Sequence, residues 1–108
     1  MKCKELFSLI EKSVPVAWQE SYDNCGLQVG NPDSEITGIL YTLDVTEPGI
    51  DLAIARGCNL VISHHPLIFN GIKSINSSKP DGRIIVKCLQ NNISVYSAHT
   101  NFDKFSCA

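Results

Sequence analysis

The stretch NLVISHHPLIF, residues 59–69, constrains the fold of this chain more than any other. It opens with an apolar run of the kind that forms a buried strand. Two adjacent histidines, His64 and His65, follow the run, and Pro66 then removes a backbone donor and stops the strand. A single histidine in such a place is usually a structural residue. A pair of them at a strand end is harder to explain by packing, and we take it as a candidate metal site.

The composition is that of one soluble globular domain. The 108 residues are 44% hydrophobic and 19% charged, with nine basic and eleven acidic residues. No cluster of lysine and arginine supports nucleic-acid binding, and no apolar run approaches the roughly 20 residues that span a bilayer. The five cysteines are widely spread without a CxxC pair, which excludes a zinc finger and favours reduced thiols. We therefore expect a cytoplasmic protein with no nucleic-acid and no membrane partner.

A strand, a helix and a second strand are predicted between residues 36 and 63. Residues 36–43 (ITGILYTL) predict a buried strand. The helix has Thr46 as its predicted N-cap, Pro48 in its first turn and Gly57 at its C-terminal end. With the strand over residues 59–63, this βαβ unit predicts parallel strands joined by a right-handed crossover. The residues expected on the buried face of the helix are Ile50, Leu52, Ala53, Ile54 and Ala55.

The remaining residues predict two further helices and a third parallel strand. A helix is predicted over residues 3–13 and a loop with turns over residues 17–34. A second polar loop leads to a helix capped by Asp81, and residues 93–96 predict the third strand. The fold expected is α/β: a layered sheet with parallel βαβ units, flanking helices and a ligand-binding edge at the carboxyl ends of the strands. The inward residues expected on the last helix are Ile84, Ile85, Cys88 and Leu89.

Every histidine of the chain falls at that carboxyl edge. Asp44 follows the first strand, the histidine pair follows the second, and His99 and Asp103 follow the third. Side chains of adjacent extended residues point in opposite directions, so His64 and His65 could each bind a separate ion. A carboxylate such as Asp103 can bridge two ions ~3.5–4 Å apart. Imidazole and carboxylate ligands suit Zn, Mn, Fe, Co or Ni better than Ca or Mg.

Four stretches of the chain have the character of family motifs: AWQESYDNCGLQVG at 17–30, YTLDVT at 41–46, NLVISHHPLIF at 59–69 and YSAHTNFD at 96–103. They resemble the Nif-three-like family (NGG-one-interacting factor three), whose members are also called GTP cyclohydrolase I type 2 homologues. The resemblance implies a dinuclear centre of two divalent metal ions with His64, His65 and Asp103 as ligands and Asp103 as the bridge. The motif residues that it places beside the site without making them ligands are Asp44, His99, Thr100 and Asn101.

The resemblance also implies an incomplete family domain. Family members are longer and supply a further histidine and glutamate from an HxxxE motif near their C-terminus. We therefore expect residues 1–108 to form the N-terminal part of a single Nif-three-like α/β domain that lacks this ligand segment. The ring-shaped homo-hexamers of the family are an expectation for its full-length members and a doubtful one for this chain.

Three functions are compatible with these features. The first is a metal-dependent hydrolase of the cyclohydrolase type, acting on a small nucleotide such as GTP, with His99 as a catalytic residue that transfers protons. The sequence has no GxxxxGK[ST] loop, so phosphate groups would be bound in another way. The second is a non-enzymatic metal-binding or regulatory interaction protein, and the third is an inactive remnant.

Overall fold

The computed structural model of the chain describes residues 1–13, 26–67 and 74–98. The four strands found there form one sheet in the order β1-β4-β3-β2. β2, β3 and β4 are parallel, and β1 is antiparallel to β4. This arrangement confirms the predicted α/β fold with its parallel βαβ units. In chain order the elements are α1 (Cys3–Ser13), β1 (Gly26–Val29), β2 (Ile39–Thr42), α2 (Glu47–Ala55), β3 (Leu60–Ser63), α3 (Pro80–Gln90) and β4 (Ser94–Ser97).

The sheet separates two clusters of buried apolar side chains. On one face, α2 and α3 contribute residues such as Ile50 and Ile85, which pack with Val95 of β4. On the other face, Phe7 of α1 stacks on Tyr96 of β4, with ring centroids 4.4 Å apart and planes 21° apart. Successive residues of a strand point to opposite faces, so β4 faces both clusters and all four of its residues are buried.

An ion-pair network joins α2 to α3 on the outside of the first cluster. Arg83 Nε donates to Glu47 Oε1 at 2.9 Å, and Lys87 Nζ donates to Glu47 Oε2 at 2.9 Å. Lys87 Nζ also donates to Asp51 Oδ1 at 2.7 Å. The network fixes the two helices side by side on the same face of the sheet.

β1 corrects the sequence prediction for residues 17–34, which was a loop. Residues 26–29 of that stretch form a strand whose Gly26 lies opposite Ser97, with an irregular register further along. Glycines with positive φ flank the strand, Gly26 at 108° and Gly30 at 117°. Such glycines are typical of turns, so the sequence predicted a loop where the structure has a strand of only four residues. Residues 14–25 lie outside the described part of the chain.

β2 is shorter and more exposed than the buried strand predicted over residues 36–43. Its side chains of Ile39 and Tyr41 are 47% and 61% exposed. Within the described sheet β2 is the edge strand and pairs only with β3. The prediction that β2 is buried was therefore wrong. An apolar run indicates a strand, but it does not show whether neighbouring elements cover both of its faces.

The predicted beginning and end of α2 are confirmed. Thr46 is the N-cap, and its Oγ1 accepts a hydrogen bond from the Gly49 N–H at 3.1 Å. Gly57 follows the helix at φ 70°, the left-handed conformation expected there. The predicted buried face was too wide, because α2 buries only Ile50 and Ala53. The side chains of Leu52 and Ile54 are exposed.

α3 begins before the predicted cap. Its N-cap is Lys79, without a side-chain capping bond, and Pro80 occupies the first turn, where a missing N–H costs no helical hydrogen bond. Asp81 lies inside that turn instead of capping it. Ile85 and Cys88 are buried as predicted, whereas Leu89 is 55% exposed. No helix in residues 1–13, 26–67 and 74–98 is long and apolar enough to cross a membrane.

Candidate metal centre

The three parallel strands end side by side. Thr42 lies opposite Ser63, and Ser63 lies opposite Ser97. The residues that follow these positions therefore leave the sheet from one edge, the carboxyl edge at which open α/β sheets bind ligands. Ser97 Oγ is buried at this edge and has no hydrogen-bond partner in the described part of the chain.

The backbone of the histidine pair is fixed against the end of β2. The amide of His64 donates to the Thr42 carbonyl at 3.0 Å, and the amide of His65 donates to the Leu43 carbonyl at 2.8 Å. Ser63 Oγ donates to the His65 carbonyl at 2.8 Å. Ser63 was not singled out from the sequence as a support of the site. The feature that could have indicated Ser63 is that it is the polar last residue of an otherwise apolar strand.

The two imidazole rings differ in orientation. Their centroids are 5.2 Å apart and their planes are 62° apart. His64 is half-buried, whereas the side chain of His65 is 47% exposed. The two rings are in edge-on contact with each other. The roles of His64 and His65 as ligands stay a prediction.

Asp44 lies directly beside His65. Its Oδ1 is 2.6 Å from His65 Nδ1. The position of Asp44 is itself fixed, because Thr42 Oγ1 donates to the Asp44 carbonyl at 2.9 Å. The sequence placed Asp44 near the site, and the structure shows that it contacts one of the histidines.

The other predicted site residues lie outside the described residues. Across residues 1–13, 26–67 and 74–98, no three His, Cys, Asp or Glu side chains are grouped so that they could hold a metal ion. The site residues that fall outside them are His99, Thr100, Asn101 and Asp103.

The donors at this edge nevertheless fit a transition-metal ion. The two imidazoles suit ions such as Zn, Fe or Ni. Ca²⁺ and Mg²⁺ are bound by oxygen ligands, which two histidines do not supply. The donor chemistry therefore favours the first group of metals.

Comparisons with known proteins identify relatives along almost the whole chain. The family model described as Duf34/NIF3 (NGG1p interacting factor 3) matches residues 1–106. A GTP cyclohydrolase 1 type 2 homolog from Clostridium acetobutylicum is 42% identical over 103 residues, covering 95% of this chain and 38% of the relative. A protein of the same name from Staphylococcus epidermidis is 47% identical over 103 residues, which cover 95% of this chain and 28% of the relative. This chain thus spans well under half the length of these relatives.

A solved structure shows the same arrangement of elements. The crystal structure of a Staphylococcus aureus protein superposes with a TM-score of 0.92 at 44% sequence identity. The match covers 95% of this chain and 33% of the other.

Proposed function

This chain belongs to the Duf34/NIF3 family, and from that premise we propose that it supplies part of a dinuclear metal centre in a metal-dependent hydrolase. His64 and His65 are the proposed ligands, and Asp103 is the proposed bridge between the ions. The two divalent ions would be Zn, Fe, Mn, Co or Ni.

The observation that carries the proposal is the pair of adjacent imidazoles at the carboxyl edge of the parallel strands. Both histidines have their backbone amides bonded to β2 or its continuation, so their positions are set by the sheet. A structural histidine would be expected in a packed interior, but the side chain of His65 is 47% exposed. This solvent access favours a ligand over a packing residue.

If held by His64, His65 and Asp103, divalent ions would supply a water acidic enough to react near neutral pH and would polarise substrate oxygens. The contribution of this chain would be to hold the ligands in place and to move protons. His99 is the proposed catalytic residue, because an imidazole exchanges protons near neutral pH. Thr100 and Asn101 are proposed to lie near the site without binding the ions.

The proposed substrate is a small nucleotide-like molecule. Two relatives carry the name GTP cyclohydrolase 1 type 2 homolog. The name suggests a reaction in which water attacks a carbon of the purine ring and the ring opens. Since the chain covers 38% and 28% of those relatives, both the substrate and the activity are proposals for this chain.

A second candidate is a metal-binding protein without catalytic activity. The family is described as an interacting factor, and that name favours a regulatory or binding role. A third candidate is an inactive chain that binds no metal.

The first test is a calorimetric titration of the purified chain with Zn²⁺ or Mn²⁺. We expect saturable binding that His65→Ala weakens by more than the roughly 10–100-fold typical of residues outside the ligand sphere. Arg56→Ala, an exposed change beyond the C-terminal end of α2, is the matched control and should leave binding unchanged. Unchanged binding in His65→Ala would eliminate the site as proposed.

A second test separates an enzyme from a binding protein. The metal-loaded chain is incubated with GTP, and the products are resolved by chromatography. A ring-opened product that is lost in His99→Ala supports the hydrolase. Metal binding without any product supports the second candidate, and absence of both supports the third.

A further inference from the structure

We infer that Asp44 is a positioning residue that holds the His65 imidazole with its proton on Nδ1, so that a metal ion would be bound through Nε2. The inference rests on the proposed metal centre, but it concerns a contact within the chain that can be measured without metal. Asp44 is not itself proposed as a ligand.

The proton assignment follows from hydrogen-bonding chemistry. An ionised carboxylate only accepts hydrogen bonds, so the atom facing it must carry a proton. Asp44 Oδ1 lies 2.6 Å from His65 Nδ1, within the range of a charge-assisted hydrogen bond. In the neutral imidazole, a proton on Nδ1 leaves the lone pair on Nε2. The contact therefore selects one tautomer of His65.

Hydrogen bonds on both sides keep the two residues together. The Asp44 carbonyl accepts from Thr42 Oγ1, and the His65 amide donates to the Leu43 carbonyl. Ser63 Oγ donates to the His65 carbonyl at 2.8 Å. Asp44 and His65 are thus anchored to the ends of two paired strands, and their side-chain contact does not depend on a freely moving loop.

The contribution of the pair is one of geometry more than of stability. The side chains of Asp44 and His65 are 66% and 47% exposed, so water screens their attraction. Histidines that bind metals nevertheless commonly donate their other ring N–H to a carboxylate, which fixes the tautomer and the ring orientation. An exposed contact can do this because tautomer choice needs only a small difference in free energy.

The direct test is the tautomer of His65 in the metal-free chain, measured from its imidazole ¹⁵N chemical shifts at about pH 8.5, where an ordinary imidazole is neutral. We expect the Nδ1–H form in the unaltered chain, because the Asp44 carboxylate can only accept a hydrogen bond. Asp44→Asn should lose this preference, because its amide nitrogen can donate to Nδ1 and so favour the Nε2–H form. Asp44→Ala should shift His65 towards the Nε2–H form that free histidine favours in water. An Nε2–H tautomer in the unaltered chain, or no shift in Asp44→Ala, would overturn the inference.

Metal affinity supplies the second measurement. Titration with Zn²⁺ should show binding about 10–100-fold weaker in Asp44→Ala than in the unaltered chain, and Asp44→Asn should not restore it. Asp33→Ala is the matched control, because Asp33 is a similarly exposed carboxylate that pairs with Lys4 away from the histidines. Equal weakening in Asp33→Ala would reduce the effect to one of overall charge and contradict the positioning role.

The two measurements can reject the proposed metal centre and the role of Asp44 independently. If the unaltered chain binds no metal, the proposed centre fails, while the tautomer still decides whether Asp44 positions His65. If the chain binds metal and Asp44→Ala changes neither the tautomer nor the affinity, the inference about Asp44 fails alone.

Discussion

Gly30 marks a close approach between the end of β1 and the start of β4. A Cβ added at Gly30 would lie 2.5 Å from Ser94 Cα, which is far inside van der Waals contact. Ser94 Oγ also accepts the N–H of Asn31 at 3.1 Å, so the two backbones are tied together at this point. The contact keeps β1 against β4 at the edge opposite the histidines.

Gly30→Ala should therefore destabilise the fold more than Gly26→Ala. The two glycines have similar positive φ angles, so the backbone strain of about 1–3 kcal/mol is common to both changes. Only Gly30 has a neighbour in the way, since a Cβ at Gly26 meets nothing within 4 Å. Urea unfolding should show an additional loss of about 1–3 kcal/mol in Gly30→Ala. Equal losses in the two variants would contradict the close approach.

The positions of the site residues were easier to predict from the sequence than the contact between Gly30 and Ser94. His64, His65 and Asp44 could be placed together because parallel strands bring whatever follows them to one edge. The hydrogen bond from His65 to Asp44 could not be predicted, because it depends on ring rotation and on the path of the chain after β2. Nothing in the sequence near Gly30 indicates that Ser94 is its neighbour.

At the scale of elements, α3 packs on the sheet through one narrow stripe. Ile85 is 3% exposed and lies in the apolar cluster between the helices and the sheet. Leu89, one turn further along the same helix, is 55% exposed. Truncation to alanine can therefore be compared at a buried position, Ile85, and at an exposed one, Leu89.

Ile85→Ala should lower the free energy of unfolding by about 2–5 kcal/mol, because it leaves a cavity where neighbouring side chains cannot close in. Leu89→Ala should cost less than about 1 kcal/mol, since most of its side chain already contacts water. Chemical denaturation followed by circular dichroism measures both values. Similar losses in the two variants would show that α3 does not pack on the sheet through Ile85.

The elements that the sequence predicted well are those with an uninterrupted signal. β3 is a short apolar run, and β4 has Val95 and Tyr96 at its centre. α2 has a capping threonine, a proline in its first turn and a glycine after its end. β1 was missed because glycines surround it. The exposure of β2 was missed because an edge strand and an inner strand can have the same apolar composition.

At the scale of the whole molecule, the ion pairs between α2 and α3 make stability depend on pH. The hydrogen bond from Lys87 holds the pKa of Glu47 below its ordinary value of 4.5, and the charge of Arg83 adds to this effect. A carboxylate whose pKa is lower in the folded chain stabilises the fold above its unfolded-state pKa. That contribution is lost as the pH falls through the folded-state value.

Glu47→Gln should therefore be less stable than the unaltered chain at pH 7, and the difference should shrink as the pH falls through the folded-state pKa of Glu47. Urea unfolding at several pH values measures the difference. Glu11→Gln, which removes a carboxylate from α1, is the control and should show a smaller difference at pH 7. A deficit in Glu47→Gln that persisted unchanged at low pH would exclude the ion pairs as its cause.

The central claim is that a divalent transition metal binds at the carboxyl edge of the parallel strands. Addition of Mn²⁺ to ¹⁵N-labelled protein tests the location directly, because the ion broadens amide signals steeply with decreasing distance. We expect the amides of Thr42–Asp44 and Ser63–His65 to disappear first, while those of Gly57–Asn59 and Asn91–Ile93 at the opposite edge persist. Broadening centred on that opposite edge, or spread evenly over exposed carboxylates, would contradict the account.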